Sequence, residues 1–253
     1  MCRKNRKLKF PLLLLAVLAS TTVLGAGSVP AESLGTVSYD VHYKLGAITT
    51  KVATATISWE KESWNGVPAY HSKAVVQPTP VFRLFISSDY LAETYFSRSE
   101  FAPLYFVNPF KYSGKEGKYE YVFRADKKVI ESTTVQGDDP PENKTFPLDG
   151  RTMDLLSLPH FVRFVEIEDE PIDMHILMAA KSYAARLVFQ GEDDEKFPGQ
   201  DAERLLLQMT ERGLMENGSG KEIHLWRSSE DDHRLLGLEV ALSSGRMICR
   251  IHE

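Results

Sequence analysis

Residues 36–43 alternate without interruption: Val37, Tyr39, Val41 and Tyr43 fall on one side, and Thr36, Ser38, Asp40 and His42 on the other. Successive side chains of an extended chain point to opposite faces, so this is a strand with one buried and one wet face. The pattern returns at once. Beyond a turn near Gly46, Ala53, Ala55, Ile57 and Trp59 oppose Val52, Thr54, Thr56 and Ser58. Asn65-Gly66 follows, and both central positions of the favoured two-residue hairpin turn need positive φ, which Asn and Gly accept most readily. Residues 67–77 then form the return strand, stopped by Pro78-Thr79-Pro80 because proline has no N–H for the ladder.

The rest of the chain extends this meander. Phe82, Leu84 and Phe85 sit in a short segment of one or two helical turns, and residues 90–96, 104–112, 119–125 and 128–136 read as strands. Residues 137–150 are polar and carry Pro and Gly, the composition of a long loop. Residues 152–165 predict a helix: Leu155, Leu158 and Val162 recur at helical spacing, Met153, Leu156 and Phe161 widen the stripe, and Pro159 is expected to kink or split it. Strands follow over 173–179, 182–190, 203–212, 222–228, 235–242 and 247–252, with Leu205-Leu206-Leu207 open between strand and helix. So many strands curl, split or close to protect their edges. The expected fold is mainly β: a large curved antiparallel sheet or unclosed barrel with one or two short helices. No repeat or low-complexity tract interrupts residues 32–253, which predicts one domain.

The N-terminus reads differently. Arg3, Lys4, Arg6, Lys7 and Lys9 precede an apolar run from Phe10, and Val23-Leu24-Gly25 and Val29-Pro30-Ala31 offer small-residue cleavage sites. That order predicts a secretory signal peptide over residues 1–31 and a periplasmic or secreted product. Retention as an anchor is the competing reading. The run is broken by Pro11, Ser20, Thr21 and Thr22 and falls short of the roughly 20 apolar residues of a spanning helix. Lipidation has no cysteine at the cleavage point, since Cys2 lies ahead of the run.

Cleavage after Ala31 removes five basic and no acidic residues, so the net charge of the chain goes from −5 to −10. An acidic chain argues against nucleic acid and anionic lipid surfaces, whose phosphates call for Lys and Arg, and leaves membrane contact to the signal peptide. Cys249 is then the one remaining cysteine, and its parity with Met247 and Ile251 makes it a buried strand residue.

Reactive motifs are missing. The chain has no GxSxG, HExxH or CxxC, and Gly114-Lys115-Glu116-Gly117-Lys118-Tyr119 has the wrong spacing for a phosphate loop and reads as a hairpin turn. His42, His71, His160, His175, His224, His233 and His252 are scattered, with no i, i+2 or i, i+4 pair to present two ring nitrogens to one metal; no metal site and no cofactor are expected. The runs at 166–170, 192–195 and 230–232 lack the spacing of a calcium loop and read as solvated loop tips. Asp89 and Glu93 share a strand face, as a carboxylate pair that does acid/base work or, more plainly, as surface charges. Asn143-Lys144-Thr145 and Asn217-Gly218-Ser219 match the glycan-acceptor pattern. Aromatics crowd the first half, among them Tyr39, Tyr43, Trp59, Tyr70, Phe82, Tyr90, Tyr95, Phe96, Tyr105 and Phe106. A sheet this size needs large inward residues; the alternative is that some line a groove for an apolar chain or a glycan.

Tyr39-Asp40-Val41-His42-Tyr43 and Trp64-Asn65-Gly66-Val67-Pro68-Ala69-Tyr70-His71 are followed by Phe82-Arg83-Leu84-Phe85, 89–96 and Ala102-Pro103-Leu104. Asp154-Leu155-Leu156-Ser157-Leu158 then offers a short central helix, and Trp226 with 229–234 a closing hairpin. In this order the segments resemble a family of bacterial exported proteins designated DUF3108, of unassigned function. Gly237 departs from the stiffer residue, often proline, that the resemblance leads one to expect there. The resemblance implies an exported envelope protein with a curved antiparallel sheet, comparable in architecture alone to the unclosed barrels of periplasmic lipoprotein carriers. It supplies no catalytic or ligand-binding residue, and sequence assigns none.

Two functional expectations follow. The first is a non-enzymatic envelope protein that handles a lipid-like, polymeric or protein partner. The second is a hydrolase of envelope polymers whose carboxylates or histidines converge only in the fold.

Overall fold

The computed structural model describes residues 35–84, 90–112, 115–167, 170–210, 220–230 and 232–252. The expected leader, Phe85, Asp89, part of the 166–170 acidic run, Asp231 and Asn217-Gly218-Ser219 lie outside the described residues.

Fifteen strands among them form one sheet. In chain order these are β1 (Gly35–Leu45), β2 (Ile48–Trp64), β3 (Val67–Pro78), β4 (Tyr90–Ser97), β5 (Pro103–Tyr112), β6 (Lys115–Arg124), β7 (Val129–Gln136) and β8 (Glu142–Pro147). The second half comprises β9 (Thr152–Asp154), β10 (Ile172–Met178), β11 (Lys181–Glu192), β12 (Ala202–Met209), β13 (Glu222–Ser228), β14 (Leu235–Leu242) and β15 (Gly245–Ile251). Two helices interrupt them, α1 (Pro80–Arg83) and α2 (Ser157–Phe164). The topology is two meanders joined where β1 pairs with β15, which leaves β8 and β9 as the two edges. Every neighbouring pair is antiparallel except β9 with β10. The expected curved, unclosed antiparallel sheet is what forms.

Alternation decides the inner face. In β1 Val37, Tyr39 and Val41 are buried, and in β2 Ala53, Ala55, Ile57 and Trp59. Asn65 (φ 49°) and Gly66 (φ 83°) make the β2–β3 turn with both residues left-handed, as the dipeptide dictates. The sheet curls until its β9 end meets the inner side of β4 to β6. There Thr94 on β4 donates to Asp154 Oδ2 at 2.8 Å, and the Tyr121 hydroxyl on β6 accepts the Ala180 N–H at 2.9 Å.

The stretch expected as one helix over 152–165 divides. Residues 152–154 pair with β10, and α2 begins only at Ser157. Pro159 is its third residue, where the N–H has no intrahelical partner to lose, so it opens the helix instead of kinking it. Asp154 Oδ1 accepts the N–H groups of Leu156 and Ser157, each at 2.8 Å, and so holds the helix start. Leu155, Leu156, Leu158, Phe161 and Val162 fill the interior of the curl.

A second correction concerns 137–150. Residues 142–147 form β8 on the edge of β7, where one side needs no partner and prolines nearby are tolerated. All but Phe146 are exposed, so no apolar period marked them. Leu205-Leu206-Leu207 lies in β12 and is strand, not helix. Gly237 is inside β14, where an added Cβ would sit 2.5 Å from the Cys249 carbonyl oxygen; glycine is what lets these strands approach. Cys249 is buried as its parity predicted.

Candidate functional site

The β2–β3 turn fixes a register in which Glu60 lies opposite His71 and Glu62 opposite Ala69. Odd positions of β3 and β4 and even positions of this part of β2 face outward, so a row of polar and aromatic side chains forms on the convex side. His71 Nδ1 lies 3.1 Å from Glu62 Oε2 and 3.7 Å from Glu60 Oε1, and its Nε2 lies 3.3 Å from Glu93 Oε2. Lys73 Nζ contacts the other Glu93 oxygen at 3.4 Å. The imidazole stacks flat on Tyr95, 4.3 Å between centroids and 1° between planes.

The row continues across β4, β5 and β6. Trp64 stacks on Tyr105 at 4.3 Å and leans on Tyr95 at 4.8 Å. The Tyr105 hydroxyl donates to Glu120 Oε1 at 2.8 Å, and Lys118 donates to Glu120 Oε2 at 2.6 Å. Burial, then the charge and hydrogen bond of Glu62, push the Tyr95 phenol up to about 12. Burial and Glu120 push Tyr105 up as well, so both phenols are neutral hydrogen-bond donors. The Lys118 hydrogen bond in turn holds the Glu120 carboxyl below its ordinary range.

Among the described residues, Glu60, Glu62 and His71 are the one group of at least three His, Cys, Asp or Glu residues whose donor atoms all lie within 4.8 Å of one another. One imidazole with two carboxylates is a donor set that Zn²⁺ or Mn²⁺ accepts. Searching for histidine pairs missed it. The signal that finds it is the hairpin itself: symmetry about Asn65-Gly66 places residue 71 opposite residue 60, beside an i, i+2 pair of glutamates.

The other expected residues go elsewhere. Glu93 meets His71 and Lys73, and its expected carboxylate partner Asp89 lies outside the described residues. His160 is fully buried on α2, with Nε2 2.9 Å from Ser72 Oγ and its ring stacked on Phe96 at 4.8 Å. Among the described residues its Nδ1 has no hydrogen-bond partner, and burial followed by the Arg163 charge lowers the imidazole to about 3. His224 meets Arg204, His233 the Ser228 carbonyl, and His252 meets Asp40. Asp193 and Asp194, expected as solvated loop tips, are used locally: Asp193 accepts the Trp226 indole N–H and Asp194 the Ala202 N–H. Asn143 accepts the Thr133 hydroxyl within the sheet edge.

A family model described as "Protein of unknown function (DUF3108)" matches residues 38–245. The chain belongs to the DUF3108 family. The match covers the outer row of this DUF3108 chain and runs from within β1 to the first residue of β15. No curated protein matches it in sequence. Among solved structures it is similar to a beta-barrel-like protein of a domain of unknown function, DUF1849, from Brucella abortus. That likeness has 11% identity, 86% coverage of this chain, 95% of the other and a TM-score of 0.48.

Proposed function

We propose that this DUF3108 protein is a non-catalytic binding protein of the cell envelope, exported by its leader, which holds a polymeric glycan along the outer row of β2 to β6. The observation that carries the reading is the half-buried run of Trp64, Tyr105 and Tyr95 set among Glu60, Glu62, Glu93 and Glu120. Aromatic rings present an apolar body to the C–H faces of a sugar, and carboxylates accept its hydroxyls. The filled interior supports an external site over a lipid-like ligand held inside the curl. The Ser72–His160 pair supports the non-catalytic reading: both side chains have no exposed surface, and the histidine lacks the orienting acceptor that an activated serine needs.

Affinity electrophoresis of the full chain through gels containing soluble cell-wall glycan tests this. Retarded migration is expected, weakened about tenfold in Trp64→Ala, the scale of one lost aromatic contact. Unchanged retardation in Trp64→Ala, or none in the unmodified chain, would refute the glycan site. New reducing ends appearing in the glycan would refute the non-catalytic reading.

A further inference from the structure

The turn between β1 and β2 is Gly46-Ala47, flanked by the cross-strand pair Leu45 and Ile48, so that four successive residues at the tip carry no polar side chain. Leu45 is 56% and Ile48 69% exposed. Packing does not explain them. α1 lies at the same end, since the Thr79 N–H at its start donates to the Val52 carbonyl; Val81 within it (66%) and Leu84 just after it (82%) are exposed.

Directly beside this turn is a cationic groove of about 340 Å³ on the outer face of β1, β14 and β15. Lys44, Lys196, Arg246 and Arg250 line it against one carboxylate, Glu239. Glu239 accepts Lys196 and Arg246 at 2.7 Å each; burial pulls its carboxyl up, but those two cations prevail and lower it. Four cations facing one anion leave an excess of three positive charges. Lys44 stands opposite Thr49 in β2, adjoining Leu45 and Ile48, and opposite Arg246 in β15. Like charges facing each other across strands cost stability, a cost that an anion in the groove would reverse.

We infer that this end of the sheet docks on an anionic lipid bilayer, with Leu45 and Ile48 entering the acyl boundary and headgroup phosphates entering the groove beside Lys44 and Arg246. A site for a free small anion has no use for a greasy turn at its rim, whereas a bilayer offers phosphate and hydrocarbon within a few ångströms of each other. The acidity of the chain, net −5 with the leader and −10 without it, does not oppose this at contact. Screening limits each charge to about 8 Å at physiological ionic strength, so the groove sets the local field.

Hydrogen exchange of the full chain, read by mass spectrometry with and without vesicles, tests the inference locally and independently of any lipid affinity of the leader. Phosphatidylglycerol mixed into phosphatidylcholine is expected to protect amides of residues 44–50, and phosphatidylcholine alone is not. Removing one cation weakens partition about fivefold, about 1 kcal/mol, so Lys44→Ser with Arg246→Ser should lose roughly twentyfold. Leu45→Ser with Ile48→Ser should lose roughly tenfold or more. All four positions are exposed, and circular dichroism checks that the sheet persists. Unchanged exchange at 44–50 in the presence of anionic vesicles overturns the inference, as does unmodified behaviour of both double variants. Protection by glycerol phosphate alone, with vesicles inert, overturns it in favour of a small-anion site.

Discussion

Asp154 has no exposed surface and accepts three hydrogen bonds at 2.8 Å, from the N–H groups of Leu156 and Ser157 and from the Thr94 hydroxyl. In Asp154→Ala the Thr94 hydroxyl turns to the Tyr105 carbonyl at 3.0 Å, but the two backbone donors are left unpaired at the start of a buried helix. Each orphaned buried donor costs about 1–3 kcal/mol, so the substitution should cost about 4 kcal/mol. For a domain of this size that lowers the melting temperature by about 8–16 °C. Asp154→Asn is the control: its amide oxygen still accepts both N–H groups, and its NH₂ donates to a Thr94 hydroxyl that turns toward Tyr105. A cost of about 1 kcal/mol is expected.

The same pair of variants separates geometry from charge. Burial raises the Asp154 carboxyl above its ordinary 3.8, more than its hydrogen bonds lower it. Between the unfolded and the raised folded value the folded state holds a proton that the unfolded chain has lost. Stability from this group is therefore complete below 3.8 and falls as pH rises through the folded value. Asn carries no such proton, so Asp154→Asn should gain on the unmodified protein as pH rises above the ordinary carboxylate range. Urea unfolding followed by circular dichroism across that range measures the difference. Equal damage from Asn and Ala, or a pH-independent difference between Asp154→Asn and the unmodified protein, would refute the reasoning.

His160 gives the opposite slope. Its folded imidazole is lowered to about 3 from 6.5, so the unfolded chain takes the proton first, and stability present above 6.5 is lost as pH falls toward 3. The loss is about 1.4 kcal/mol per pH unit, and His160→Gln should flatten it in the same urea series. Gly237→Ala places a methyl 2.5 Å from the Cys249 carbonyl oxygen and 2.8 Å from Phe197 Cζ. It should lower the urea midpoint by the equivalent of about 2 kcal/mol, and an unchanged midpoint would disprove the close approach. In a Cys2→Ser background the Cys249 thiol, buried and raised by desolvation, should ignore a disulfide reagent until denaturant is added; immediate reaction would contradict its burial.

How much was legible beforehand depended on range along the chain. The β1–β2–β3 meander, the Asn65-Gly66 turn and the inward parity of Cys249 are set by neighbours a few residues apart, and alternation displays them. Even the Glu60–His71 pairing was latent there, because a hairpin reflects sequence about its turn. β8 was invisible because an exposed edge strand buries nothing and so has no apolar period. The division of 152–165 was hidden because Met153 and Leu156 are buried on a strand and at a helix start alike, and an apolar stripe does not say which.

Sequence alone determined a sheet, its hairpins and the near absence of reactive motifs, since those follow from local backbone preference and side-chain parity. Tertiary structure decided which end of the sheet met which face. It placed Asp154 under Thr94, sealed His160 against Ser72, and drew Lys44 to Arg246 across two hundred residues of chain. Pairing of β1 with β15 and the inward curl of β9 depend on contacts between segments far apart in sequence. Their energies are felt only once the chain is closed upon itself, and no window of neighbouring residues contains them.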